Sequence, residues 1–158
     1  MFQKSLIITL VCVLVDQIIK LIISGTMGLG GSISIIPDFF SVSYVENDGA
    51  AWSIFSGNRI FLILISVFAL ILIYNYFFKI KNIKTVEFIS YSVLIGGIIG
   101  NLWDRLKYGK VIDYLDFKIF GYNFPVFNFA DICIVISVIL LLIDALIDKG
   151  EGNAKNND

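Results

Sequence analysis

Residues 127–143 read FNFADICIVISVILLLI. From Ile132 onward the stretch carries no charge and belongs in lipid, yet an aspartate, Asp131, stands at its head. A charge near the centre of a bilayer costs roughly 2.5–3.5 kcal/mol on insertion scales. A carboxylate in such a place has a partner or a task.

Working outward, the chain repeats the apolar pattern three more times. Candidate spans cover residues 5–23, 60–78, 86–103 and 126–147, each near the ~20 residues that cross a hydrocarbon core ~30 Å thick. The whole chain of 158 residues is 58% hydrophobic, against about 45–50% apolar for soluble domains. The expectation is a membrane bundle of four transmembrane helices, an α+β membrane protein with a small extracytoplasmic β-sheet and outer loop segments. Residues 1–148 read as one domain without internal repeats, and residues 149–158 as a polar, disordered cytoplasmic tail. Lys4 and the apolar run after it resemble a signal peptide, but Asp16 and Lys20 interrupt the run, so it reads as a retained span.

The loop KIKNIK (79–84) holds three lysines. The positive-inside rule makes it cytoplasmic, and with it both termini. Residues 24–59 and 104–125 then face outward, although Arg105, Lys107, Lys110 and Lys118 in the second segment pull the other way. A net charge of −1 without a basic stripe gives no sign of a nucleic-acid partner.

The outer segments carry structure of their own. Phe40, Val42 and Tyr44 alternate with Ser41 and Ser43, the period of a strand with one apolar face. Asn47-Asp48-Gly49 supplies a turn, with Gly49 able to take a positive φ. Residues 111–127 alternate in part around Gly121-Tyr122. A small sheet at the outer surface follows, with Phe39, Phe40, Tyr44, Trp52 and Phe55 suited to the interface.

No histidine occurs in the chain, which removes Ser-His-Asp and Cys-His nucleophiles and His-ligated zinc. Cys12 and Cys133, both in apolar runs, read as small buried hydrophobes. Ionisable residues within or at the ends of the spans, besides the flanking lysines, include Asp16, Lys20, Asp131 and Asp144. Asp16 and Lys20 are four apart and share a helix face. Asp144 reads as a snorkelling or capping residue. Counting ~1.5 Å per residue places Asp131 ~8 Å and Asp16 ~10 Å below the outer end of their helices. Gly96 and Gly100 permit close helix approach. Asn101, Asp104 and Arg105 share one face and point into the same layer. The following outer segment brings Asp113 and Asp116, and either can meet Asp131 if the chain folds back over the bundle.

Two adjoining carboxylates hold a single proton over a wide pH range. The ionised one can take a proton from water while the other protonates a scissile carbonyl. Such a pair hydrolyses amides without histidine, metal or cofactor.

Asp16-Gln17 with Lys20, NDGAAWS (47–53), GNLWDR (100–105), VIDYLDF (111–117) and FNFAD (127–131) together resemble the successive motif blocks of the lipoprotein signal peptidases, or signal peptidase II. Asp48 stands where that family often carries threonine. The resemblance implies a monomeric aspartyl peptidase of the bacterial cytoplasmic membrane with its active site near the outer face. It implies membrane lipid and diacylglyceryl-modified prolipoproteins as partners, cut just before the lipidated cysteine. It also selects Asp113 and Asp131 as the catalytic pair. Asp16, Lys20, Asn47, Gly49, Asn101, Asp104, Arg105 and Asn128 map onto the family's substrate-binding or site-supporting positions. Arg105 and Asn47 become candidates for holding the substrate backbone, or Arg105 pairs only with Asp104.

Three other chemistries fit parts of the pattern. Intramembrane Asp and Lys suit a proton-coupled transporter, whose site would lie at the midplane between related halves. Ser24 follows Lys20 by one turn, as a Ser-Lys peptidase requires, but Asp16 would keep that lysine charged. Asp113, Asp116, Asp131 and Asn128 offer oxygen ligands to Mg²⁺.

Overall fold

The computed structural model describes residues 2–155, apart from Ala51, Ser53, Phe78 and Lys81. Ala51 and Ser53 of the NDGAAWS block, Lys81 of the basic loop and residues 156–158 of the tail therefore lie outside the described residues. The described residues form four helices: α1 (Phe2–Thr26), α2 (Arg59–Phe77), α3 (Thr85–Lys107) and α4 (Phe129–Lys155). Each contains a stretch long and apolar enough to cross a membrane. Four strands, β1 (Ser32–Ile36), β2 (Phe40–Asn47), β3 (Val111–Ile119) and β4 (Tyr122–Asn123), form one antiparallel sheet in the order β1-β2-β3-β4.

α3 is the centre of the bundle, and its sequence explains why. It buries Ser90, Ser92, Gly96, Gly97, Gly100, Asn101 and Asp104 beside only two leucines. Lipid tails are as apolar as leucine, so small residues that let backbones touch drive association instead. A Cβ built on Gly96 would stand 2.6 Å from Cys12 Cβ on α1, and one on Gly97 would stand 2.6 Å from the Ala130 carbonyl on α4. The Ser92 hydroxyl meets that of Ser5 (2.8 Å), and Thr9 Oγ1 donates to the Ser92 carbonyl (2.9 Å), tying α1 to α3. α2 is uncharged after Arg59, and Leu62 and Phe77 are its buried residues. Most of its other apolar side chains, Leu64, Phe68 and Leu72 among them, are exposed, as lipid contact requires. At the Lys84 end of α3, the ammonium binds Asp144 (3.0 Å) and Asp148 of α4. Asp144 thus joins two helices.

The sheet covers the other end of the bundle. Ile112 and Tyr114 of β3 pack with Ile23 of α1, fixing the sheet to the end of the first helix. Phe40 pairs with Phe117 across β2 and β3, and Gly121 turns β3 into β4 at φ 81°.

Some boundaries differ from the sequence expectation. α4 begins at Phe129 rather than near residue 126, because Phe127 forms an antiparallel bridge with Leu115. Asp131 therefore sits in the first helical turn. α1 extends to Thr26, so Asp16 lies ten residues from its end rather than seven. α4 runs on to Lys155, into the stretch where the sequence predicts a disordered tail.

Candidate active site

Five elements, α1, β2, α3, β3 and α4, each bring a polar side chain to one place. Asp131 is in the first turn of α4, where Asn128 acts as the cap. Asn128 Oδ1 accepts the Asp131 N–H (3.0 Å), and Asp131 Oδ2 accepts the Asn128 N–H (3.1 Å). This reciprocal capping box fixes the carboxylate to its own helix end. The other two leading N–H groups of α4 are also satisfied. Ala130 donates to Asp16 Oδ1 on α1 (3.1 Å) and Phe129 to the Tyr114 hydroxyl on β3 (3.1 Å). A buried helix start without such partners would leave these donors unpaired.

Asp113 comes from β3 and is 2% exposed. Its Oδ1 accepts from Asn128 Nδ2 (2.6 Å) and its Oδ2 from Asn47 Nδ2 (2.9 Å) at the end of β2. The Asn128 side chain thus touches both acids: its carbonyl meets the Asp131 main chain and its amide meets the Asp113 carboxyl. Burial pushes the Asp113 carboxyl up to about 6, with the nearby Asp131 charge adding to the rise and the Asn47 and Asn128 amides opposing it.

Asn101 supports Asp131 from behind. Its Nδ2 donates to Asp131 Oδ1 (2.7 Å), while its Oδ1 accepts from Lys20 Nζ (2.9 Å) and Asn128 Nδ2 (3.2 Å). The lysine therefore determines which way the amide faces. Lys20 in turn lies between Asp16 and Asp104, 2.8 Å from each, with all three essentially buried. Gly100 makes room for this triad, since a Cβ there would meet Asp16 Oδ2 at 2.7 Å. Gln17 donates to Asp104 Oδ1 (2.9 Å) and Asp16 Oδ2 (3.1 Å). It stands in the first motif block, yet sequence reasoning assigned it no place in the site.

Arg105 does not pair with Asp104, which Lys20 already holds. Its Nη2 donates to the Gly49 carbonyl (3.0 Å) and its Nη1 to the Asn101 carbonyl (3.5 Å). Asn47 Oδ1 accepts the Gly49 N–H (2.9 Å), closing the turn that the sequence predicts there. The guanidinium thus joins α3 to the loop after β2.

Asp116 does not join the group. Its carboxylate accepts from Ser43 of β2 at 2.8 Å, away from the Asn47 and Asn128 amides that hold Asp113. The four oxygen donors of the Mg²⁺ reading consequently do not converge. Ser24 is exposed and donates to the Leu21 carbonyl (3.3 Å), while Lys20 is committed to two aspartates, so the Ser-Lys reading fails as well.

Comparison with known proteins bears on this arrangement. The family described as Signal peptidase (SPase) II, Peptidase_A8, matches residues 8–147. The chain belongs to the signal peptidase II family. It is similar to the lipoprotein signal peptidase of Staphylococcus aureus strain JH9, at 38% identity over 96% of this chain and 93% of that protein. Another S. aureus lipoprotein signal peptidase is 40% identical over 98% and 93%. Two solved bacterial membrane enzymes, determined by the in meso method at 2.3 and 1.9 Å, superpose with TM-scores of 0.88 and 0.82. They share 38% and 39% identity, covering 94% and 91% of this chain and 91% and 93% of theirs. This signal peptidase II homologue is thus a bacterial membrane protein of peptidase type, and the transporter reading loses its support. The polar set lies where the helices meet the sheet, not between two related halves.

Proposed function

We propose that this chain is an aspartic endopeptidase that removes the signal peptide from prolipoproteins, cutting on the N-terminal side of a diacylglyceryl-modified cysteine, with Asp113 and Asp131 as its catalytic pair. The observation that carries the reading is the single Asn128 side chain bonded to the Asp113 carboxyl on β3 and to the Asp131 main-chain N–H on α4. The raised Asp113 carboxyl suits a group that keeps a proton beside an ionised neighbour.

The ionised member removes a proton from a water molecule, whose oxygen attacks the scissile carbonyl carbon. The protonated member donates to the carbonyl oxygen, giving a neutral tetrahedral diol. Collapse breaks the C–N bond as the proton taken from water passes to the leaving amine and one diol hydroxyl returns its proton to the carboxylate that had donated it. Arg105 and Asn47 border the site and are placed to hold the substrate backbone. The enzyme acts as a monomer and needs no cofactor.

The basic loop at 79–84 puts that end of the bundle in the cytoplasm, with both chain termini. The polar layer then faces outward, at the depth where a lipidated cysteine meets the interface.

Asp113→Asn and Asp131→Asn, assayed in detergent on a lipidated prolipoprotein, should each lower kcat by about 10³-fold or more while the protein stays folded. Asp116→Asn should keep substantial activity. An essential Asp116 with a dispensable Asp113 would show the pair to be wrongly assigned.

A further inference from the structure

Tyr114 follows Asp113 on β3, and the hydrolysis above gives it no role. Its side chain is 4% exposed and packs with Ile23 and Ile112. By strand alternation it projects from the face opposite Asp113. Its hydroxyl accepts the Phe129 N–H at 3.1 Å. Phe129 is the first helical residue of α4, so this N–H has no partner within the helix. The Tyr114 and Leu115 N–H groups both donate to the Phe127 carbonyl, at 3.0 and 2.8 Å, and Phe127 N–H returns to Leu115 (3.1 Å). Those main-chain bonds hold the strand to residue 127, just short of the helix. The phenol reaches past them into the helix itself, two residues from Asp131.

We propose that Tyr114 is a positioning residue that sets the separation of Asp113 and Asp131 by anchoring the first turn of α4 to the strand carrying Asp113. The inference rests on the aspartate-pair reading. Without the hydroxyl, the Phe129 N–H is left buried and unpartnered, and the first turn must shift to find another acceptor. Asp131 moves with that turn. Misplacing reacting groups by ~1 Å can cost about 10²-fold in rate.

Tyr114→Phe keeps the ring and removes only the oxygen. It should lower kcat about 10- to 100-fold with KM within about twofold, because the substrate contacts are untouched. Amide hydrogen exchange should quicken at residues 129–131 and stay slow in the middle of α4. Wild-type kcat in the variant overturns the proposal. So does exchange that quickens along the whole helix, or a variant that no longer folds in detergent, since the hydroxyl would then hold the protein and not the pair. Cleavage by the unaltered chain, with Asp113→Asn and Asp131→Asn inactive, tests the pair separately. A fully active Tyr114→Phe beside those inactive variants removes Tyr114 and leaves the pair standing.

Discussion

Asp113 sits where its own charge is unwelcome, and this makes its contribution to stability depend on pH. Its carboxyl is raised from 3.8 to about 6, first by burial and then by Asp131. A carboxyl whose folded value exceeds its unfolded one contributes stability that is fully present below about pH 3.8 and is lost as pH rises through about 6. Two pH units correspond to about 3 kcal/mol. Wild-type protein should therefore lose up to about 3 kcal/mol relative to Asp113→Asn between pH 4 and pH 8. Thermal unfolding in detergent across that range checks the sign, and a constant difference between the two proteins would contradict it. The residue alphabet already hinted at this chemistry, since a chain without histidine but with acids at helix ends has few other routes to hydrolysis. The reciprocal Asn128–Asp131 cap was legible in principle from its three-residue spacing. Tyr114 was not, because its bond to Phe129 joins a strand to a helix with no local pattern to announce it.

At the scale of elements, the spans were legible because apolar runs of the right length have few other uses. Their ends were less so. The Phe127 bridge delays α4 because an apolar residue can sit in a strand pairing as readily as in a helix. β1 went unread because Ser32–Ile36 ends in two adjacent isoleucines, which breaks the alternation. The close contact of α3 with α4 offers a direct test of how the elements position the site. Gly97→Ala places a methyl against the Ala130 carbonyl at 2.6 Å and Ile134 Cγ1 at 2.9 Å. Such overpacking costs about 1–3 kcal/mol. The helices should part enough to lengthen the Asn101–Asp131 bond, so both Tm and kcat should fall. Gly25→Ala in α1 meets no atom within 4 Å and is the matched control. Equal behaviour of the two variants would show that helix spacing does not govern the site.

The molecule as a whole is polarised: each end of the bundle has a lysine held by two aspartates, but in opposite environments. Lys84 binds Asp144 and Asp148 with 44% of its side chain exposed. Lys20 binds Asp16 and Asp104 with 2% exposed. Exposed ion pairs contribute little, whereas removing one partner of a buried pair leaves uncompensated charge and costs about 3–5 kcal/mol. Lys20→Met should therefore destabilise the protein strongly. It should also impair cleavage in whatever fraction remains folded, because Asn101 loses the ammonium that orients its amide toward Asp131. Lys84→Ala should leave kcat unchanged and Tm nearly so. Comparing the two variants by thermal unfolding and by prolipoprotein cleavage separates the buried ion group beside Asn101 and Asp131 from the one that ties two helices at the far end. If Lys20→Met behaved like Lys84→Ala, the buried triad would have no part in holding Asp131.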